Sequence, residues 1–212
     1  MTKRNQIFLI FFCLGFFVIV FSLYDNKLYP NPGASQKTLD IVDSSYSYVE
    51  DSLDITVKLF KLDEMYYQLV AHLIKNNEPV QTSKYNLNFP VYQFHLADID
   101  GNGREDFCVG VIKKTHFDPV VRKRLFIFQL KNGKIRPLWL GSRLGQPLEN
   151  FTIIYRKEQN NIRTLELEMD GSYLVCDYRW RNFGLEFIHY VDRFLDKETA
   201  FEYLLHSKGE SY

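Results

Sequence analysis

Nine consecutive residues of this chain, Asp98, Ile99, Asp100, Gly101, Asn102, Gly103, Arg104, Glu105 and Asp106, set oxygen-bearing side chains at positions 1, 3, 5 and 9 around a glycine at position 6. That spacing suits a hard divalent cation. Calcium takes about 6–8 oxygen ligands, and alternate residues of a tightly wound loop can aim Asp98, Asp100, Asn102 and Asp106 at one centre, with the main-chain carbonyl of Arg104 at position 7 adding another donor. Gly103 is expected where the chain reverses with positive φ, a conformation that a β-carbon resists. The alternative is an ordinary hairpin turn, because Asp, Asn and Gly favour turns for backbone reasons alone.

The flanks decide which kind of calcium loop this is. A helix-loop-helix hand needs a bidentate Glu at position 12, and position 12 here is Val109. Val91 to Ala97 upstream and Phe107 to Ile112 downstream are short aromatic and β-branched runs, so the loop is expected to join two strands. Over Phe94 to Val111 the chain resembles the FG-GAP/VCBS type of repeat of integrin-α-like β-propellers, in which a strand runs into D-x-D-x-[DN]-G-x-x-D and a second strand ends near V-G. The resemblance implies a calcium-binding β-loop with Asp98, Asp100, Asn102, Asp106 and the Arg104 carbonyl as ligands, and implies no particular activity. The motif occurs once: neither Leu62-Asp63-Glu64 nor Met169-Asp170-Gly171 carries the ligand series.

Two further groups of residues could do chemistry. Lys113 to Arg143 holds nine Lys or Arg against one carboxylate, Asp118, on a chain whose formal net charge is zero. Such a stripe suits an anionic polysaccharide, a lipid headgroup or an acidic partner, or is simply a set of solvated strand faces. The loop after Trp139 offers Trp139, Arg143 and Gln146 as a stacking ring and planar hydrogen-bonding groups for a ligand, or else Trp139 belongs to the core and Arg143 to the surface. No nucleophile elbow, phosphate-cradling glycine loop or zinc-type Cys/His spacing is present. The chain is therefore read as a binding or scaffolding module without catalytic residues; the alternative is a hydrolase with a cleft near His95 or His116. Zero net charge implies no attraction to nucleic acid.

The elements that must position these residues read as strands from Ile55 onward. Ile55–Phe60, Tyr66–Ile74 and Pro79–Ser83 form one group; Val91–Ala97, Phe107–Lys113, Arg124–Leu130 and Ile135–Leu140 a second; Phe151–Tyr155, Ile162–Met169, Tyr173–Trp180 and Gly184–Tyr190 a third. Turn pairs such as Asn132-Gly133 and Asp170-Gly171 separate them. In the third group Leu165, Leu167 and Met169 alternate with Glu166, Glu168 and Asp170, the period of two expected of a strand. The expected fold is all-β: three consecutive antiparallel meanders in a propeller-like incomplete arc, or alternatively a sandwich or barrel. A short helix after Asp196 is expected to lay Ala200, Phe201, Leu204 and Leu205 on the last sheet.

The amino terminus predicts a compartment. Lys3 and Arg4 precede an apolar run of 18 residues from Ile7 to Tyr24, which reads as a signal anchor or a cleaved signal. The positive flank keeps the first residues in the cytoplasm and places the rest outside it, where calcium is plentiful. Residues 1–24 are thus expected to be a transmembrane helix and 25–52, rich in Ser, Pro and carboxylates, a tether. A short helix or docking strand is possible within Leu39 to Val49. Residues 53–212 make one extracytoplasmic β domain, with a polysaccharide or an envelope protein as its expected partner. Cys108 and Cys176 sit among apolar neighbours in predicted strands, either as inert core thiols or as a disulfide.

Overall fold

A computed structural model of the chain describes residues 44–116, 118–141, 144–156 and 159–206. The predicted membrane segment and most of the predicted tether lie outside them, and no helix among the described residues is long and apolar enough to cross a membrane.

Twelve strands form three sheets of four, each a simple antiparallel meander in chain order. The first contains β1 (Ser44–Glu50), β2 (Leu53–Lys61), β3 (Tyr67–Lys75) and β4 (Glu78–Leu87); the second β5 (Val91–Ala97), β6 (Asp106–Lys113), β7 (Arg122–Lys131) and β8 (Lys134–Trp139); the third β9 (Leu148–Ile154), β10 (Asn161–Leu167), β11 (Tyr173–Arg181) and β12 (Gly184–Leu195). Helix α1 (Lys197–Leu205) follows.

Two-residue connections close the β1–β2, β3–β4, β7–β8 and β11–β12 hairpins, and such turns can only return a strand beside its predecessor. Asp51-Ser52, Asn76-Asn77 and Asn132-Gly133 all adopt positive φ, the left-handed backbone that hairpin turns of matching twist require. Ser44–Glu50, assigned by composition to the tether, pairs residue for residue with β2, so the docking strand allowed for in that segment is β1. Tyr46 and Tyr48 face the core while Ser45, Ser47 and Val49 face out.

Each sheet buries a different fraction of itself. In the first sheet Ile55, Val57 and Leu59 point inward and Thr56 and Lys58 outward, the alternation of a sheet with one wet face. The second is covered on both faces. Phe107, Val109, Val111, Phe126 and Phe128 join the core shared with the first sheet, while Cys108, Leu125 and Ile127 join Leu148, Phe151, Ile153 and Ile162 of the third. This is why β6 reads as an unbroken apolar run from Phe107 to Ile112. Hydrogen bonds stitch the layers: Tyr46 Oη donates to the Phe94 carbonyl, the Ile135 amide to Ser83 Oγ, and Gln93 Nε2 to the Phe151 carbonyl.

The third sheet is covered on its far side by α1, whose Ala200 and Leu204 pack on Leu165 and Val175. Asp196 caps that helix, accepting from the Thr199 amide at 2.9 Å, as the sequence predicts. Both faces of β10 are covered, and its residues Ile162 to Glu166 are buried without a break. Glu166 is buried and Met169, beyond the end of the strand, is 97% exposed. Cys108 and Cys176 are both buried as free thiols.

Candidate metal centre and adjoining cleft

The loop 98–105 joins β5 to β6, and the pair Ala97–Asp106 closes the ladder beneath it. Its shape follows from its own carboxylates. Asp98 Oδ1 accepts from the amides of Gly101 and Asn102 at 2.9 and 3.1 Å, and Oδ2 from that of Gly103 at 2.8 Å. Asp100 accepts from the Asn102 amide and Asn102 from the Arg104 amide. Asp106 Oδ2 accepts from Ile99 and Asp100. Gly103 has φ +81 and no atom within 4 Å of where a Cβ would stand, so its requirement is purely one of backbone conformation.

This folding brings one carboxylate oxygen from each of Asp98, Asp100 and Asp106 within 4.8 Å of one another. Asn102 belongs to the same turn. The electrostatics of that cluster are unfavourable without a positive charge. Asp106 is 1% exposed, and among the described residues no Lys or Arg forms an ion pair with it. Burial, then the neighbouring Asp100 charge, pushes its carboxyl up to about 7, against the pull of the two amides it accepts from. Burial and the Asp98 charge also raise Glu105. A buried carboxylate at neutral pH needs a counter-charge or a proton, and an all-oxygen donor set of three carboxylates with an amide suits a hard divalent cation.

The loop is anchored to both outer sheets by contacts that the motif does not reveal. Ile99 is fully buried in the core between the second and third sheets, and Gln159 Nε2 donates to the carbonyls of Ile99 and Trp180 at 2.9 and 3.0 Å. The Arg104 side chain reaches Glu50 at 3.0 Å and Asp51 at 3.2 Å on the β1–β2 hairpin. Ordering of this loop therefore acts on all three sheets.

The two histidines named from the sequence do not share a site. His95 points from β5 into the second layer boundary, edge-on to Phe151 with its Nε2 2.6 Å from Gln93 Nε2, whereas His116 lines a separate surface cleft. Burial lowers His95 to about 4 from 6.5, which keeps it neutral at pH 7. The unfolded chain takes up this proton below pH 6.5 and the folded chain only near 4, so stability is constant above that window and falls within it. At pH 4.5 the loss is on the order of 2 kcal/mol. His95→Gln is accordingly expected to flatten the difference between melting temperatures at pH 7 and pH 4.5.

The cleft containing His116 has a volume of about 1290 Å³. It gathers Trp139 from the end of β8 and Leu144, Gln146 and Pro147 from the loop between the second and third sheets, together with Lys113, Arg122, Lys123 and Arg124 from β6 and β7. Trp139 lines the cleft with an edge only, being 6% exposed and packed in the core. Gln146 donates its amide to the buried Glu166 at 2.6 Å, which pins the loop to the third sheet. Arg143 lies outside the described residues. The sequence names the basic stripe and the loop separately; it carries no signal that Phe89, from the end of the first sheet, would complete the wall beside them.

Comparison of the chain with protein-family models, with curated proteins and with solved structures returns no match.

Proposed function

We propose that this chain is a membrane-tethered, exported β domain that holds one structural calcium ion in the loop Asp98–Asp106 and serves as a binding module in the cell envelope. The observation that carries the reading is the convergence of Asp98, Asp100 and Asp106 oxygens within 4.8 Å, with buried Asp106 lacking a cationic partner among the described residues. Asp98, Asp100, Asn102, Asp106 and the Arg104 carbonyl would hold the ion, as the FG-GAP/VCBS-type motif implies. When bound, the ion neutralises clustered carboxylates and orders the hairpin. The residues of the chain do the rest: Ile99, Gln159 and Arg104 couple that order to the three layers.

The apolar run Ile7–Tyr24 behind Lys3 and Arg4 supports the tether and the export, and export supplies the calcium: modules outside the cytoplasm need a Kd of only ~10⁻⁴ to 10⁻³ M. The meander topology and face-to-face burial of consecutive sheets support an arc of propeller-like blades, closed on its last face by α1. The cleft supports the binding role, with an envelope polysaccharide, lipid or protein as partner.

At free calcium about tenfold above Kd the folded state gains ~1.4 kcal/mol. For a domain of this size that is a rise of about 3–6 °C in melting temperature. Scanning calorimetry of the full chain in neutral detergent, with calcium against chelator, is expected to show this rise and to lose it in Asp106→Asn. A melting temperature that does not move over millimolar calcium overturns the reading.

A further inference from the structure

The large cleft carries both a charge surplus and an apolar lining, and the two together identify a class of ligand. Lys113 and Arg122 are cross-strand partners at the end of the β6–β7 ladder, and Arg124, opposite Val111, projects from the same face. Asp118 is the carboxylate that answers them. It accepts from Arg124 Nη2 at 2.8 Å, which holds its carboxyl below the usual range, and sits 3.4 Å from Arg122 Nε. That Arg122 nitrogen is out of contact with water and completes no hydrogen bond. Lys113 has no carboxylate partner among the described residues. Its ammonium lies 4.3 Å from the centroid of the Phe89 ring and 5.6 Å from that of Phe126. Three cations against one carboxylate leave a surplus of two positive charges, and one of the three, the Lys113 ammonium, is held over aromatic faces rather than in open water.

Lys123, also in the lining, contributes nothing to this surplus, because it is bonded to the Glu149 carbonyl and lies near its carboxylate. Glu168 is likewise taken by Arg193. The cleft also has an apolar lining, with Leu140, Leu144, Leu167 and Met169 besides Phe89. Met169 and Leu140 are exposed and present apolar surface to whatever enters the cleft. A compact inorganic anion would satisfy the cations and leave that lining wet. A neutral lipid would do the reverse.

We propose that this cleft binds an anionic amphiphile, with its acidic head over Lys113, Arg122 and Arg124 and its apolar chain along Phe89, Leu144 and Met169. The proposal rests on the reading of the chain as a binding module, and names the ligand of that module by its chemistry. Head and chain act together: the head selects charge, and each added methylene buried against the wall tightens binding.

The test is calorimetric titration of the full chain in a neutral sugar detergent with octyl phosphate, octylphosphocholine and inorganic phosphate, which share one phosphate group. Octyl phosphate is expected to bind with one site per chain and to be bound at least tenfold more tightly than either of the others. Lys113→Gln with Arg122→Gln is expected to weaken it at least tenfold, and Leu144→Asp likewise, while Trp139 fluorescence in a Trp180→Phe background changes as the site fills. Equal binding of octylphosphocholine shows an apolar cleft without charge selection and overturns the proposal. Equal binding of inorganic phosphate shows a simple anion site and also overturns it. Tighter binding of an oligogalacturonide assigns the cleft to a saccharide, and octyl phosphate binding unchanged by the three substitutions places it on another apolar surface; either result defeats the proposal. Calcium-dependent melting measured on the same preparation separates the two readings, because it persists if only the cleft assignment fails.

Discussion

Replacement of Asp177 by Ala is expected to lower the unfolding free energy by about 3–5 kcal/mol, the cost of leaving a buried cation without its partner. Arg163 of β10 and Asp177 of β11 are directly paired across the ladder and are 3% and 1% exposed at their side chains. The pair is bidentate, with Arg163 Nε to Oδ1 at 2.7 Å and Nη2 to Oδ2 at 3.0 Å. Arg163 also donates to the Tyr203 carbonyl of α1, so the ion pair fastens the helix to the third sheet. Loss of Asp177 strands the guanidinium under that helix. The double replacement Arg163→Met with Asp177→Leu removes both charges and is expected to cost much less than Asp177→Ala alone. Urea unfolding of the three proteins measures the difference; a single mutant no less stable than the double would contradict the burial of this pair.

Truncation of Phe128 to Ala is expected to cost a similar ~3–5 kcal/mol, the range for emptying a buried aromatic site. Phe128 is fully buried in the face that the second sheet turns to the first, with its ring 4.8 Å from Tyr85 of β4 and 6.4 Å from Phe126. The loss falls on the packing between two sheets rather than within one, since Phe128 and Tyr85 lie on strands that share no ladder. Met169→Ala, at a site 97% exposed, is the matched control and is expected to change stability by no more than about 0.5 kcal/mol. A midpoint for Phe128→Ala close to that of the control would mean that the sheets do not share this core.

Most strands were legible because period-two patterns and turn pairs act locally. Asn132-Gly133 adopts the left-handed turn expected of it, and the second meander has the four strands read from the sequence. What the sequence hid depends on neighbours. β1 was masked by a composition of Ser and Tyr that looks like a linker until Tyr46 and Tyr48 are seen to alternate into the core. β4 runs on to Leu87 because its Lys84 and Asn86 face water on the one wet face of the first sheet. Glu166 looks like a surface residue in the strand pattern. It is buried because the loop at Gly145 and Gln146 folds over it: Thr164 Oγ1 donates to one carboxylate oxygen at 2.7 Å and the Gln146 amide to the other. No one-dimensional pattern encodes that covering loop.

The loop 98–105 shows the same division. The three carboxylates that converge and the glycine were readable as spacing, since they lie within nine residues. The anchors were not, because Arg104 finds Glu50 and Asp51 and Gln159 finds Ile99 only once the three sheets are stacked. The cleft is legible in its parts, the basic stripe and the Trp139 to Pro147 loop, and not as one surface.

Equilibrium dialysis of the full chain in neutral detergent against radioactive calcium tests the central claim most directly. The account predicts one ion retained per chain at millimolar free calcium, lost in Asp106→Asn and in Asp98→Ala. No retained ion up to 10 mM (~tenfold above the weakest affinity expected of such a loop), or one retained equally by both variants, would contradict it.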